Sequence, residues 1–434
     1  MRRERFMVFI SIIILLFVVL FVYKKCFKKG RKIEVNHVLC FSVGYVFYCI
    51  VPILMFSFFK EIKDLGYNKI RYLFSEIPGR QLIFYLIISF ALYISFALGV
   101  ISTKWKKHFY NKKCLLKDYK YNYNKIEKIF FYPILLLGVF LLYICRESLG
   151  VGYRGEKLVS SSMSAYQLLL NGFVIMFLVG NDICSIKKLI FNKWTIWLFI
   201  YSCFLLTTGG RLYVVTSLLS ELIFYSCIKK NGFKIRYLLV ACIVLVAAVG
   251  VLGLLRLGIS NVKLTDVIIN IFSESIFTNW SNITYIKNYN LFNLFGSLKM
   301  ILSGFINLIP SVLFENKVDY LYSVYDMYPF VENPLGATHF FVTYNGGLGF
   351  IPSILFFYLV GRGLEIAYSE IKNRGITVKT IYCLVTANLM FTLFRDPFAT
   401  SIVKNIFEFS IIIPWAASAI GNKMVYIYEK VMKK

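Results

Sequence analysis

The feature that most constrains this chain is a series of apolar runs, several of them about 20 residues long, with polar connections between them. A helix of about 20 apolar residues crosses the roughly 30 Å hydrocarbon core of a membrane, and it satisfies its own backbone polar groups. The chain is 58% hydrophobic and only 16% charged, which excludes an ordinary soluble globular protein. The sequence therefore predicts an all-α polytopic integral membrane protein, with one transmembrane domain over residues 1–434.

The apolar runs predict about eleven transmembrane helices. The first run follows basic residues but is too long for a signal peptide and has no small-residue cleavage site, so we expect an uncleaved helix. The predicted spans are Phe6–Tyr23, Val38–Phe59, Gln81–Ile101, Phe130–Cys145, Tyr166–Gly180, Trp194–Thr207, Leu212–Ile228, Tyr237–Leu255, a ninth beginning at Phe350–Val360, Val378–Phe394 and Ser401–Ile420.

The distribution of basic residues predicts the orientation. The net charge of +27 could indicate a nucleic-acid partner, but in so apolar a chain it favours cationic loops that face an anionic inner leaflet. The lysine-rich stretch 24–32 is more basic than residues 1–5, and the loop 104–128 is the most basic of the chain. The positive-inside rule therefore predicts an outer N-terminus and an inner C-terminus. Because the cationic loops account for the net charge, we expect no nucleic-acid partner.

One break between spans, residues 256–349, is far longer than the others and is half polar. We predict that this segment is a large extracytoplasmic loop with short amphipathic helices, leading into the ninth transmembrane helix. Within it, the apolar stretch 298–314 could span the membrane. Lys299, Asn307 and the helix-breaking Pro310 favour instead a helix that lies at the interface or is re-entrant.

The sequence indicates no metal site and no cofactor. The ten cysteines are scattered singly without a CxxC pair, and His37, His108 and His339 lie far apart. No Walker loop, DxD motif or GxSxG elbow is present, so nucleotide-driven chemistry and serine hydrolysis have no support.

Three stretches carry a resemblance to a known family. They are TTGGR at 207–211, INLIP at 306–310, and NPLGATHFFVTYNGGLGF at 333–350, which opens a helix after the long outer segment. In this order and layout, which covers nearly the whole chain, the sequence resembles the Wzy-type polysaccharide polymerases, also called oligosaccharide repeat-unit or O-antigen polymerases.

The resemblance implies a bundle like that of the GT-C glycosyltransferases and of the O-antigen ligases, which share the architecture. It implies a multi-pass protein of the bacterial plasma (inner) membrane and a metal-independent glycosyltransferase that works at the outer face. Such an enzyme moves a growing glycan from a polyprenyl diphosphate onto a new lipid-linked repeat unit, for a capsule or an O-antigen. Membrane lipids, a chain-length regulator and a flippase of the same pathway are the implied partners.

Arginine suits such a reaction because its planar, permanently charged fork can meet two phosphate oxygens at once. The predicted topology places Arg211, Arg256 and Arg395 at outer helix ends, where they could stabilise a departing diphosphate. The alternative is that they contact lipid phosphates as ordinary interfacial arginines. His339 precedes the stretch Asn345–Gly349, which resembles the histidine-before-glycine pattern of the ligase and polymerase families. The resemblance implies that His339 hydrogen-bonds diphosphate or assists proton transfer, and the alternative is a histidine that packs at a helix entrance.

The remaining candidate residues are acids and aromatics of the outer side. Glu274, Asp326, Glu332 and Asp396 are candidates for accepting a proton, and their spacing selects none of them. Asp396 could simply pair with Arg395. Tyr320 and Tyr325 belong to an aromatic run that suits sugar rings or an interfacial belt. We take the catalytic set as Arg211, Arg256, His339 and Arg395, and the substrate-binding set as Tyr320, Tyr325, Asn345, Glu274 and Asp396.

A transporter, in particular a lipid-linked oligosaccharide flippase, is the competing class. A transporter of this kind should show internal repeats and broken helices around a polar central cavity. Here no repeat is visible, and the polar residues are concentrated in the one outer segment, which favours an outward-facing enzyme.

Overall fold

The structure is a computed structural model of the whole chain. It describes residues 2–27, 32–58, 67–106, 123–148, 157–181, 185–208, 210–228, 232–234, 264–289, 292–309, 313–333, 336–369, 371 and 374–432. The predicted eighth span, Tyr237–Leu255, and Arg256 lie outside these residues.

The described part of the chain is helical apart from one small strand pair. Its α-helices are α1 (Arg2–Phe27), α2 (His37–Tyr45), α3 (Val51–Phe58), α4 (Tyr67–Glu76), α5 (Gly79–Lys106), α6 (Tyr123–Ile144), α7 (Lys157–Gly180), α8 (Ile186–Ile190), α9 (Lys193–Thr208), α10 (Arg211–Ile223), α11 (Leu264–Asn288), α12 (Leu298–Ile306), α13 (Val324–Met327), α14 (Phe350–Ser369), α15 (Ile376–Leu389), α16 (Thr392–Arg395) and α17 (Ile413–Met432). The strands are β1 (Lys32–Ile33) and β2 (Phe233–Lys234). π-Helical segments cover Val46–Ile50, Phe224–Ile228, Val342–Leu348 and Ala399–Ile412, and 3₁₀ turns cover Arg146–Ser148 and Glu315–Tyr320.

Eight helical segments in the described residues are long and apolar enough to cross a membrane. Two shorter apolar helices, Ile129–Ile144 and Lys193–Thr207, coincide with the fourth and sixth predicted spans. Three of the long segments run through π-helical turns, so that α2 and α3, for example, form one span over His37–Ser57. The protein is therefore an all-α polytopic membrane protein, as the apolar runs predict, while the count of eleven spans stays a prediction.

The longest contact between helices in the described part joins α5 to α14, and it depends on small residues. A Cβ atom on Gly99 would overlap the carbonyl oxygen of Tyr358, and one on Gly361 would overlap that of Phe96. Ser95 also donates a hydrogen bond of 2.5 Å to the carbonyl oxygen of Ile354. Small residues let two helix backbones approach closely, which is how helices gain packing energy inside a membrane.

Contacts between distant segments place several predicted inner loops at one end of the bundle. β1, after the first span, pairs antiparallel with β2, after the seventh. Next to this pair, Tyr368 near the end of α14 donates a hydrogen bond to Glu34. His37 at the start of α2 lies 3.3 Å from the carboxylate of Glu365. These loops thus share one end, as the predicted topology requires.

The opposite end gathers segments that are predicted to lie outside. Lys69 on α4 pairs with Glu332 at 3.4 Å, and Lys287 at the end of α11 pairs with Glu76. Glu332 also accepts a hydrogen bond of 2.9 Å from the indole of Trp280. The loop after the second span is therefore tied to the long segment 256–349.

That long segment is built around a helix much longer than the short ones expected from its polar sequence. α11 has 25 residues, which gives a length of roughly 37 Å. Its buried face carries Ser275, Thr278, Asn279, Ser281 and Asn282. Asn279 donates 2.7 Å to the carbonyl oxygen of Tyr48 in the π-helical part of the second span. α11 is stable because small polar side chains pack and bond against a membrane helix, a feature that a search for apolar runs does not detect.

The ambiguous stretch 298–314 contains only the nine-residue helix α12 among its described residues, which is too short to cross a membrane. The side of α12 that carries Met300, Ser303 and Gly304 is buried, and Gly304 faces Val403 of the last span. Leu298 and Leu302 on the other side are exposed. The expectation of an interfacial or re-entrant helix agrees with this length and this two-sided pattern.

The glycines before α14 are explained by a close approach of two backbones. The Gly296 N–H donates 2.8 Å to the Leu348 carbonyl oxygen, and the Ser297 N–H donates 3.0 Å to that of Gly347. Gly349 has a φ of +88°, and a Cβ atom there would clash with the backbone of residues 295–296. The GGLG stretch thus has a packing role, because only glycine combines a positive φ with so close a neighbour.

Candidate functional site

Arg395, the last residue of α16, carries a charged side chain at the end of the bundle that is predicted to lie outside. Its Nε bonds to Glu274 on α11, and its Nη1 donates to the Oδ1 of Asp396 at 2.9 Å. The Arg395 side chain is 23% exposed, that of Glu274 33%, and that of Asp396 6%. A guanidinium is thus held between two carboxylates at the edge between buried and exposed surface.

Local sequence explains why Arg395 stands at a helix end. The helix α15 ends at Leu389, and α16 adds a single turn before Asp396, whose backbone is extended (φ −102°, ψ 151°). A residue that precedes proline is biased towards extended backbone, and Pro397 follows Asp396. The Arg395 carbonyl oxygen accepts a 2.6 Å hydrogen bond from the Thr338 N–H. The end of α16 is therefore joined both to α11 and to the segment before α14.

Asp396 combines one paired and one unpaired carboxylate oxygen. Its Oδ1 accepts the bond from Arg395, whereas its Oδ2 is buried without a hydrogen-bond partner among the described residues. Burial raises the pKa of the Asp396 carboxyl above its ordinary value; Arg395 opposes this effect and the charge of Glu274 adds to it. A buried carboxylate with raised basicity and a free oxygen can accept a proton from a hydroxyl group.

Two tyrosines approach the charged cluster from neighbouring helices. The hydroxyl of Tyr48 interacts electrostatically with Glu274, Arg395 and Asp396, and it is buried without a hydrogen-bond partner among the described residues. Tyr213, in the first turn of α10, interacts electrostatically with Asp396 and Arg395. These tyrosines add hydroxyl groups beside the charged residues, where they can donate to an anion or orient a sugar.

His339 lies next to this cluster but is fully buried. Its Nδ1 accepts a hydrogen bond of 3.1 Å from the Phe341 N–H, which leaves the ring proton on Nε2, 3.2 Å from the Tyr48 carbonyl oxygen. Burial lowers the pKa of His339 to about 3, so the ring is neutral at physiological pH. Both ring nitrogens are engaged within the protein, an arrangement that favours the packing interpretation of this histidine over direct binding of diphosphate.

Tyr325 is joined to the site through Thr338, whereas Asn345 and Tyr320 contact other residues of the long segment. The Tyr325 hydroxyl bonds to the side chain of Thr338, the residue whose N–H bonds Arg395. Asn345 is fully buried and interacts with the Tyr285 hydroxyl. Tyr320 is 58% exposed and packs on Phe314, with ring centroids 5.3 Å apart.

Two of the three arginines predicted to be catalytic, Arg211 and Arg395, lie among the described residues. Arg211 begins α10 and is half-buried, two residues before the Tyr213 that approaches Arg395. Arg256 lies outside the described residues. The structure therefore brings together Glu274, Arg395 and Asp396, with His339 beside them, and it places the start of the Arg211 helix close by. In the residues that are described, no group of three His, Cys, Asp or Glu side chains could hold a metal ion.

Tyr48 and Thr338 are site residues that sequence reasoning missed. Tyr48 lies in an apolar run, where an aromatic residue carries no functional signal. Thr338 precedes His339 in the stretch 333–350, and nothing in its residue type or spacing indicates a role of its own. The helical spacing of small polar residues between Ser275 and Asn282 was the available signal that α11 packs into the bundle and carries Glu274 to Arg395.

Fold and site together define a multi-pass, all-α membrane protein with a half-buried arginine–carboxylate cluster at one end of its helices. No protein-family model, no curated protein and no solved structure matches this chain.

Proposed function

We propose that this protein is a Wzy-type repeat-unit polymerase of a bacterial plasma membrane. In this proposal, eleven helices form a GT-C-like bundle, and the Arg395 cluster faces the outer side. The enzyme transfers a growing glycan from a polyprenyl diphosphate to a new lipid-linked oligosaccharide. The resemblance of the three sequence motifs suggested this function, and the chemistry of the cluster supports it.

The observation that carries the proposal is the position of Arg395 between two carboxylates. Different N–H groups of one guanidinium already hold two anionic partners. A diphosphate offers two anionic groups to the same fork, and it can take the place of Glu274, the more exposed partner. A fixed cation at a half-buried position stabilises the negative charge that develops on a leaving diphosphate.

Asp396 supplies the second element of the chemistry. The hydroxyl oxygen of the acceptor sugar attacks the anomeric carbon of the donor glycan. The bond from that carbon to the diphosphate oxygen breaks, and its electron pair leaves with the diphosphate. The hydroxyl proton passes to Oδ2 of Asp396, whose raised pKa makes it a stronger base than an exposed aspartate.

A transporter of lipid-linked oligosaccharides is the second candidate. The specific observation in its favour is the buried pair of His37 and Glu365, 3.3 Å apart, at the opposite end of the bundle. Ionisable residues inside membrane spans are costly and often belong to transport pathways. The place where lipid-linked repeat units accumulate in cells without the protein separates the two candidates. Accumulation on the outer leaflet supports a polymerase, and retention on the inner leaflet supports a transporter.

The direct test is Arg395→Lys, which keeps the charge and removes the planar fork. We expect elongation by protein reconstituted with a defined lipid-linked repeat unit to fall on the order of 100-fold. Arg146→Lys is the matched control, because Arg146 lies at the same predicted side and covers the ring of Tyr143, away from the charged cluster. Unchanged elongation in Arg395→Lys, or an equal loss in Arg146→Lys, contradicts the proposal.

A second variant keeps the test decisive if Arg395→Lys folds poorly. Glu274→Gln removes a negative charge that raises the pKa of Asp396. If Asp396 is the base, loss of the Glu274 charge lowers the pKa of Asp396. The acidic limb of the pH profile of the elongation rate then moves to lower pH in this variant. An unchanged limb shows that Asp396 does not accept the proton.

A further inference from the structure

A second cluster of charge lies where α12 meets the last span. Lys404 belongs to the π-helical segment Ala399–Ile412, inside the apolar stretch Ala399–Gly421, and yet it is exposed. Lys404 lies five residues after Ala399, the first residue of the π-helical segment, and is therefore just over one helical turn from the start of that segment. A charged side chain at a lipid-facing position is unfavourable unless an interface or a partner receives it.

Lys317 reaches the same place from the 3₁₀ turn Glu315–Tyr320. Its Nζ donates 3.0 Å to the carbonyl oxygen of Ile309, just beyond the end of α12, which holds the ammonium group there. Both Lys404 and Lys317 interact electrostatically with Glu408, one turn along the last span. Two cations and one carboxylate therefore lie within electrostatic range of each other, and the group keeps a positive charge. An ammonium group has three N–H donors, so each lysine can bond more than one acceptor.

An apolar wall lies directly beside these lysines. Leu298, Leu302, Phe305 and Ile309 are spaced by four, three and four residues along one face, and they are 68%, 56%, 48% and 40% exposed. Phe305 meets Phe407 of the last span edge to face, with ring centroids 6.1 Å apart. Phe407 is itself 38% exposed. Exposed hydrocarbon and aromatic groups thus continue from α12 onto the last span.

The opposite side of α12 explains why this wall keeps its position. A Cβ atom on Gly304 would lie 3.0 Å from Val403 and 3.5 Å from Phe398, so α12 packs tightly on the beginning of the last span. The positive cluster and the apolar wall therefore belong to one closely packed corner of the protein. Lys404 follows Arg395 by only nine residues on the same stretch of chain.

We propose that Lys317 and Lys404 form a binding site for the headgroup of a polyprenyl diphosphate, whose hydrocarbon chain lies along Leu302, Phe305 and Phe407. The identity of the lipid rests on the proposed function, because a polymerase must take such carriers laterally from the membrane. The compact, multiply charged diphosphate matches two ammonium groups better than a phospholipid phosphate with one negative charge does. The site holds a carrier beside the Arg395 cluster before or after transfer.

The test measures binding without turnover. The purified protein is placed in phosphatidylcholine nanodiscs and titrated with labelled undecaprenyl diphosphate, with no acceptor present. We expect the double variant Lys317→Gln and Lys404→Gln to weaken binding by about tenfold or more. Lys299→Gln is the matched control, since Lys299 is an exposed lysine of α12 that lies over the Tyr322 ring, 6.0 Å from its centre. We expect its affinity to stay within about twofold of the parent.

A gain of binding provides the independent readout. Glu408→Gln removes a negative charge that interacts electrostatically with both lysines, so the affinity for undecaprenyl diphosphate should rise, an effect that misfolding does not produce. Unchanged affinity in the double variant overturns the proposal, as does an equal loss in Lys299→Gln or no gain in Glu408→Gln. Displacement of the label by an equal amount of phosphatidylglycerol shows a general anionic-lipid site and also overturns it.

Failure of this inference is distinguishable from failure of the proposed function. Lysine-dependent binding in a protein that never elongates glycan leaves the lipid site in place and overturns the polymerase. Normal elongation with lysine-independent binding overturns the site and leaves the polymerase in place.

Discussion

His339 is buried without charge, and its protonation is therefore linked to folding. The folded protein lowers the pKa of this ring to about 3, whereas an unfolded chain has the ordinary value of 6.5. Below pH 6.5 the unfolded chain binds a proton that the folded protein does not accept. Stability is therefore lost as the pH falls from 6.5 towards 3, by up to about 1.4 kcal/mol for each pH unit.

This linkage gives a prediction for His339→Gln, which keeps a donor for the Tyr48 carbonyl oxygen but cannot titrate. We expect the melting temperature of the detergent-solubilised parent to drop more between about pH 7.5 and about pH 5 than that of the variant. All other titratable groups are common to both proteins, so the comparison isolates residue 339. Equal drops in both proteins would show that His339 does not titrate on unfolding.

At the same scale, residue type alone indicated part of the site. Arg395, Glu274 and Asp396 were candidates because charged residues beside apolar spans are few, and their pairing agrees with the alternative that Asp396 partners Arg395. The roles of these residues in catalysis stay predictions. Tyr48 could not be found in this way, because its side chain matters only through the neighbours that packing supplies.

At the scale of elements, the contact between α5 and α14 shows how backbone approach replaces hydrophobic burial. Lipid is as apolar as a leucine side chain, so close packing rather than exclusion of water holds two membrane helices together. Gly361 lies at the contact and is buried. Gly363 lies two residues later on the same helix, and a Cβ atom added there would have no other atom within 4 Å.

The two glycines allow a matched pair of variants. We expect Gly361→Leu to separate the helices, which destabilises the protein by several kcal/mol and lowers both its yield and its melting temperature. Gly363→Leu adds the same side chain at an open position and should change the melting temperature little. Similar behaviour of the two variants would mean that the close approach at Gly361 contributes little to stability.

The long segment 256–349 shows, at this scale, which kind of helix a hydropathy pattern does not detect. A hydropathy pattern predicts helices that face lipid, and it located the described spans with few errors of position. The hydropathy pattern did not detect α11, because the buried face of this helix consists of Ser, Thr and Asn. These side chains hydrogen-bond to the bundle instead of burying hydrocarbon. Such a helix is recognisable only when its partner, here the second span, is known.

For the whole molecule, sidedness is the property that every functional argument requires. The group of residues around β1 and β2 and the group around Arg395 lie at opposite ends of the spans. The charge bias of the loops then predicts that the Arg395 end faces outward. Reversal of the protein in the membrane would remove the site from an outer-leaflet substrate.

Cysteine labelling tests this orientation. Asn316→Cys lies in the long segment and Lys187→Cys lies between the fifth and sixth predicted spans, and both positions are exposed. In a parent with all ten native cysteines replaced by alanine, we expect a membrane-impermeant maleimide to label Asn316→Cys in intact cells. Lys187→Cys should react only after permeabilisation. The reverse pattern would place the Arg395 cluster at the cytoplasmic side.

The sequence by itself determined that this is a helical membrane protein, where most of its spans lie and which loops carry positive charge. These properties are local, since they depend on the hydropathy and charge of contiguous residues. Only the tertiary structure decided which residues meet. Arg395 and Glu274 are 121 positions apart, and nothing in either neighbourhood specifies the other. Their contact follows from the packing of α11 against the second span, which depends on the shapes of many side chains at once.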